Sequence, residues 1–220
     1  MNNSIRNSAH QLWGEKPILH YHIIMDTILP LARIIDCPKN KKLNLIHSGQ
    51  DVCYFLFEGY AALCRSPDGL VLSNIRTPHI FGLNNIILPY IEKYYIRAEK
   101  ECVIMMADAL AVKKAIEDNN LWESLAIILA YQSYEFSSII NLFTGRSSYE
   151  LICYQIIALM NEPAEIRMNV TPAQYIMDKT LLSRSYVMKI IAQLKHSEKI
   201  TIENKTLVCA TPLINELAQH

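Results

Sequence analysis

Ser183, Arg184, Ser185, Tyr186 and Lys189 fall within seven residues, and Lys205 follows a short way on. These types suit hydrogen bonding to nucleic acid better than bond-making chemistry. An arginine guanidinium matches a guanine edge through two parallel hydrogen bonds, a lysine reaches a base or a phosphate, and a hydroxyl serves either. Ser183 reads as a helix N-cap, and the amide groups at a capped helix start favour a phosphate oxygen. Val187, Ile190, Ile191 and Leu194 recur on the opposite side of a helix expected from Arg184 to about His196. A charged helix face is commonly just solvated. The elements around this one favour contact with DNA.

Upstream, Thr171-Pro172-Ala173-Gln174 places threonine at N-cap, proline at N1 and glutamine at N3 of a short helix running to about Asp178. Thr171 joins the candidate DNA contacts. Downstream, Ile200-Thr201-Ile202, a turn at Glu203-Asn204-Lys205, and Thr206-Leu207-Val208-Cys209 read as a two-stranded hairpin. Helix, turn, helix, hairpin is a winged helix-turn-helix. Such a unit lays the start of its second helix in a major groove and anchors that helix by its apolar side. Ser147 to Glu150 forms a capping box opening a helix to about Asn161, and Pro163 stops it. Residues 165–220 carry net charge +2 against −2 for the remainder, a small difference.

Ala111 to Thr144 contains neither glycine nor proline and reads as one long helix, with Gly145 as its C′ residue. Trp122, Leu129, Phe136 and Phe143 lie seven apart, and Ala126, Ser133 and Ile140 fill the same stripe. Such a seam of large and small residues suits a second helix from a symmetry mate, which implies a homodimer. Leu121, Leu125, Ile128 and Ile139 form a neighbouring stripe that can face the N-terminal part of the chain.

That part is written in strands. All six glycines precede residue 146, and Gly49, Gly59 and Gly69 are ten apart, as in short strands punctuated by turns. Strands are expected at Lys42 to Ile46, Val52 to Phe57, Tyr60 to Cys64, Leu70 to Ile75, Tyr94 to Ala98 and Val103 to Met106. Before them, Pro17 to Ile35 carries a mostly helical pattern broken near Pro30.

Composition excludes other classes. The 220 residues are 51% hydrophobic, with 21 Lys+Arg against 21 Asp+Glu, so the chain is neither disordered nor polybasic. Its start lacks a signal-peptide pattern, and its longest apolar run, Leu125 to Tyr131, is too short to span a bilayer. A cytoplasmic protein without a membrane partner is expected. Cys37, Cys53, Cys64, Cys102, Cys153 and Cys209 show no C-x-x-C and no metal-cluster spacing. Each reads first as a small buried hydrophobe. His20-Tyr21-His22 lies on a probable helix, where i and i+2 point apart, so no metal is expected. There is no Ser/His/Asp ordering, no Gly-rich phosphate loop and no carboxylate pair with a task, so an enzyme is not expected either.

Thr171 and the run Ser183 to Leu194, closing in Lys205-Thr206-Leu207-Val208, resemble the C-terminal domain of the CRP/FNR superfamily of bacterial transcription regulators. The N-terminal half agrees. Leu45-Ile46-His47-Ser48-Gly49-Gln50, Tyr54-Phe55-Leu56-Phe57-Glu58-Gly59, Asp68-Gly69, Pro78 and Phe81-Gly82 resemble that family's β-roll. Within the family the chain resembles the small enterobacterial regulators of the IprA type. The resemblance covers roughly residues 40–212. It implies an α+β fold: an antiparallel β-roll of the cyclic-nucleotide-binding, cupin-like kind with N-terminal helices (1–110), a dimerisation helix (111–145) and a winged helix-turn-helix (146–220). The partners it implies are double-stranded DNA, a second copy of the chain and RNA polymerase, with no cofactor. A degenerate member that regulates by protein contact without reading DNA is the alternative.

The departures are informative. Nucleotide-sensing members bind the cyclic phosphate and ribose with a Gly-Glu pair and a later Arg-Ser or Arg-Thr. Here Gly82 is followed by Leu83-Asn84-Asn85, and Glu92-Lys93 stands where the arginine pair belongs, so no cyclic nucleotide is expected. A ligand of another kind, or redox sensing through Cys53, Cys64 or Cys102, is left open. The family's turn glycine falls at Leu181, where positive φ is costly, so either a turn of different shape or a register shifted by one residue is expected. Cyclic-AMP-responsive members carry glutamate where Ser185 stands, so their operator does not carry over.

Overall fold

The computed structural model describes residues 15–88, 93–99 and 102–217, without the side chains of residues 142, 143, 216 and 217. The chain divides into two compact units: residues 1–67 with 72–140, and residues 141–220 with the hairpin tip 68–71.

The first unit opens with helix α1 (Ile18–Ile28), which a 3₁₀ turn at Leu29–Leu31 ends. Strand β1 (Arg33–Ile35) follows. The helical reading of Pro17 to Ile35 therefore holds only as far as Pro30. Beyond it Arg33, Ile34 and Ile35 pair with Met106, Met105 and Ile104, long-range bonds that no local pattern announces. Strands β2 (Lys42–Leu43) and β3 (Ile46–His47) replace the single strand expected there. Then come β4 (Gln50–Glu58), β5 (Tyr60–Arg65), β6 (Val71–Arg76), β7 (His79–Phe81), β8 (Tyr94–Ala98) and β9 (Val103–Asp108). They form two sheets, β1-β9-β4-β3 with β7 also on β4, and β2-β8-β5-β6. The pairs β1–β9, β2–β8, β3–β4, β4–β7, β4–β9 and β5–β8 are antiparallel. This is the β-roll.

Strand β4 explains why its sequence reads as an unbroken apolar run. Successive side chains point to opposite faces, and both faces are covered. Cys53 and Phe55 enter a cluster with Tyr21, Ile24 and Ile28 of α1, while Val52, Tyr54 and Leu56 enter the interior between the sheets. Gly82 is required for a different reason. Its φ is +86°, and a Cβ there would stand 2.6 Å from the Val52 carbonyl oxygen, so no other residue fits without moving β4.

The long helix expected over Ala111 to Thr144 is two helices, α2 (Ala109–Asp118) and α3 (Trp122–Phe143). Asp108 caps the first, accepting from the amides of Leu110 and Ala111. The break is a Schellman motif. Leu121 N–H donates to Ile116 O at 2.9 Å and Asn120 N–H to Glu117 O at 3.1 Å, with Asn120 at φ +53°. Asparagine tolerates that left-handed conformation, so Asn119-Asn120 was the signal that a search for glycine and proline misses. Leu125 and Ile128 of α3 are buried in the α1 cluster, with Leu121 packed against it.

In the second unit, α4 (Ser148–Asn161) begins at the expected capping box, with Ser147 N–H donating to Glu150 Oε2 at 2.7 Å and Glu150 N–H to Ser147 Oγ at 3.3 Å. A turn of helix, α5 (Ala164–Arg167), leads to α6 (Pro172–Thr180) and α7 (Arg184–His196). The hairpin β10 (Thr201–Glu203) and β11 (Thr206–Cys209) and an unanticipated helix α8 (Thr211–Leu217) complete it. One cluster joins Ile152, Ile156 and Leu159 of α4 to Tyr175 and Ile176 of α6, Val187, Ile190, Ile191 and Leu194 of α7, and Leu207 of β11. Fold class is α+β, as the sequence indicates. Among the described residues no helix is long and apolar enough to cross a membrane.

Candidate nucleic-acid interface

Helix α7 shows why its polar residues are available. Its four apolar side chains are buried in the domain core. That anchoring turns Arg184, Ser185, Met188, Lys189 and Ala192 outward, each of them exposed. Ser183 Oγ accepts from Tyr186 N–H at 3.4 Å and so holds the start of the helix in place. Arg184 stands at the amino end of α7, where the backbone dipole adds partial positive charge, and Lys189 lies in the second turn, about 140° further round the exposed side. A guanidinium, an ammonium and free amide groups on the exposed side can hold a phosphate oxygen and read a base edge.

Other expected contacts lie elsewhere. Tyr186 is half-buried and packs against the domain core, so its ring is a support of α7 rather than part of the outward ridge. The Thr171 hydroxyl accepts from Gln174 N–H at 3.2 Å, capping α6. Lys205 is exposed at the tip of the β10–β11 hairpin, where Asn204 and Lys205 have φ of +47° and +68°. Two successive positive φ values make the type I′ turn that matches strand twist. Glu203 stands beside that lysine in sequence.

The turn between α6 and α7 places Leu181 in the left-handed region, φ +57° and ψ +17°. The leucine bears that strain with its side chain 51% exposed. Neighbouring bonds hold it there. Leu181 N–H donates to Met177 O at 3.1 Å, and Leu182 N–H to Thr180 Oγ1 at 3.3 Å.

Lys179, which adds to the basic count, is not on the surface. Its Nζ lies 3.9 Å from Glu162 Oε1 and 4.5 Å from the centre of the Tyr175 ring, while Tyr175 Oη donates to the same carboxylate at 2.9 Å. Burial lowers the lysine's pKa and Glu162 counteracts the shift. This group ties α6 to the C-terminal end of α4 and takes Lys179 out of the exposed basic side chains.

On α3 of the first unit, the stripe read as a dimer seam is divided. Trp122, Ala126, Ser133 and Ile140 are exposed. Leu129 packs partly against the α1 cluster, and the Phe136 ring lies 6.0 Å from that of Tyr94. The Phe143 side chain is outside the described residues. The histidine pair of α1 is split as well. His20 Nδ1 lies 3.0 Å from Ser124 Oγ, whereas His22 lines a small cavity with Met25, Asp26 and Phe57.

Asn85 Nδ2 donates to Asp51 Oδ1 at 3.4 Å, which places a carboxylate beside the turn after Gly82. Glu92 lies outside the described residues.

A family model described as winged helix-turn-helix DNA binding matches residues 148–213. Two relatives named inhibitor of hydrogen peroxide resistance are similar over 163 residues, one from Salmonella typhimurium (24% identical) and one from Escherichia coli K12 (25%). Each match covers 74% of this chain and 78% of the relative. Solved structures share the fold. The c-di-GMP-responsive global regulator CLP of Xanthomonas campestris superposes with a TM-score of 0.70 at 12% identity, covering 84% of this chain and 97% of that one. A CRP/FNR-family regulator from Eubacterium rectale gives 0.69 at 12%, covering 90% and 94%. A CooA variant from Carboxydothermus hydrogenoformans gives 0.66 at 13%, covering 87% and 89%. The chain thus has the CRP/FNR fold, with a winged helix-turn-helix as its C-terminal unit.

Proposed function

We propose that this CRP/FNR-like chain is a cytoplasmic, homodimeric regulator of transcription that reads double-stranded DNA without responding to a cyclic nucleotide. The observation that carries the reading is the outward ridge of α7, with Arg184, Ser185 and Lys189 exposed over a buried apolar face. In a dimer joined along α3, two such ridges would meet successive major grooves about one helical turn apart. Arg184 would pair with a guanine edge, Lys189 would reach a base or a phosphate, and Lys205 would touch the flanking backbone. The carboxylate of Asp51 beside Asn85 supports independence from cyclic nucleotides, since it opposes a phosphate there. RNA polymerase is the partner through which a bound regulator of this kind would act. The name of the two relatives suggests that the genes controlled bear on peroxide resistance.

One observation favours a second reading, action by protein contact alone. Lys179 is withdrawn into the pair with Glu162, which thins the positive charge of the C-terminal unit. A mobility-shift titration with random and genomic DNA pools separates the two. DNA reading requires binding that weakens steeply as salt rises and enriches one sequence from the genomic pool. Absence of binding at low ionic strength would leave protein contact as the function.

A further inference from the structure

Six cysteines are scattered along the sequence, and two of them meet in the fold. The β1–β9 ladder sets Arg33 opposite Met106, Ile34 opposite Met105 and Ile35 opposite Ile104. The last pair is Ile35 with Ile104; Cys37 and Cys102 each lie two residues beyond it, so the same register, if continued, would face one toward the other. The far side of this corner is also pinned. Asn40 N–H donates to Ala98 O at 2.8 Å, and Ala98 N–H to Lys41 O at 2.9 Å, where the chain enters β2 beside β8. The end of β1 thus lies beside the start of β9, and the entry to β2 beside the end of β8, both held by main-chain bonds. Both cysteines are half-buried and pack against the same cluster between the sheets. After burial, the nearness of Cys102 is the largest cause pushing the Cys37 thiol up to about 11. Cys53, Cys64 and Cys153, by contrast, have no exposed surface.

We infer that Cys37 and Cys102 are a dithiol site that a hydroperoxide converts to a reversible disulfide within one chain. Residues directly opposite on antiparallel strands have Cα atoms about 4.5–5.5 Å apart, inside the range that a disulfide spans. One thiolate attacks a peroxide oxygen, the O–O bond breaks and hydroxide leaves, giving a sulfenic acid. The second thiol gives up its proton and attacks that sulfur, the S–O bond breaks, and a second hydroxide leaves. The two thiol protons convert the two hydroxides to water, so two thiols and one hydrogen peroxide give one disulfide and two waters. The new bond would tie the chain just after β1 to the chain just before β9 and stiffen this corner of the roll. Burial raises both thiols above the usual range, so oxidation is slow at neutral pH and quickens as the thiolate forms. The site does not depend on DNA binding by the other unit.

The test is peroxide treatment of the folded, reduced full chain, alkylation of the remaining thiols, and mass spectrometry of a non-reducing digest. The expected product is a peptide pair linking Cys37 to Cys102, 2 Da lighter than the two free thiols and lost on reduction. Its initial rate should rise about tenfold per pH unit between 7 and 9. Cys209 reports that the oxidant acted: its thiol is exposed, and its pKa is lowered by the Thr211 amide and hydroxyl. If Cys209 is oxidised while Cys37 and Cys102 are both alkylated, or if either pairs with a different cysteine, the inference is overturned. Cys37→Ser and Cys102→Ser should each abolish the linked peptide; its persistence in either variant would also overturn it.

Discussion

Gln132 Nε2 donates to the carbonyl oxygen of Ile80 at 3.0 Å, fastening the middle of α3 to strand β7. The same amide lies 3.3 Å from Tyr21 Oη and 3.5 Å from His79 Nε2, so one side chain joins three elements of the first unit. Replacing it leaves polar atoms without a partner in a largely buried place. Gln132→Leu should cost about 1–2 kcal/mol of unfolding free energy, read as a lower urea midpoint at unchanged slope.

Arg184→Ala should weaken binding to a mapped site by about 1–3 kcal/mol and relax preference at one base pair per half-site. Lys205→Ala should weaken all sequences alike and reduce the salt slope by about one. Fluorescence anisotropy against the site and its single-base variants measures both. Equal affinity of Arg184→Ala and the parent protein would remove the assignment to a guanine edge.

Leu181 spends conformational energy in a glycine's place. Leu181→Gly should stabilise the C-terminal unit by about 0.5–1 kcal/mol, because the backbone is already in the conformation that glycine prefers and the lost side chain is half exposed. Thermal unfolding with circular dichroism decides the sign. A destabilised variant would mean that the Leu181 side chain contributes packing that outweighs the strain.

Because Leu129 and Phe136 have neighbours in their own chain, a charge at either would damage the fold as well as a seam. Ala126→Glu and Ile140→Glu, on the exposed side of α3, are better tests of pairing. Light scattering should show each shifting from two chains to one at micromolar concentration, with helical content unchanged. Dimers that persist in both variants would place the seam elsewhere.

Lys16 donates to Arg76 O at 2.6 Å, and burial lowers its pKa from 10.5 to about 8. Between those values the unfolded chain binds more protons than the folded one, so stability rises with pH across that window. The penalty is fully present below pH 8. Lys16→Met removes it, so the variant's stability relative to the parent should be greatest near pH 7 and decline toward pH 10. Urea titrations at pH 7 and 9.5 measure the difference, and an advantage that grows with pH would contradict the assignment.

What the amino-acid sequence determined was whatever a few neighbouring residues decide together. The caps at Ser147, Thr171 and Ser183 and the apolar stripe of α7 depend on atoms within about one helical turn, so they were legible before any folding. The Asn119-Asn120 break was equally local and equally written, though in a residue type less obvious than glycine. Tertiary structure decided the rest. The pairing of Arg33 to Ile35 with β9 made a strand of a segment with helical texture. Glu162 drew Lys179 off the surface, the core took half of Tyr186, and the fold set Cys37 and Cys102 against one cluster. Each of these joins groups that the chain must close a loop to bring together. Their energies depend on burial and on a distant partner, and neither is encoded in the spacing of neighbours.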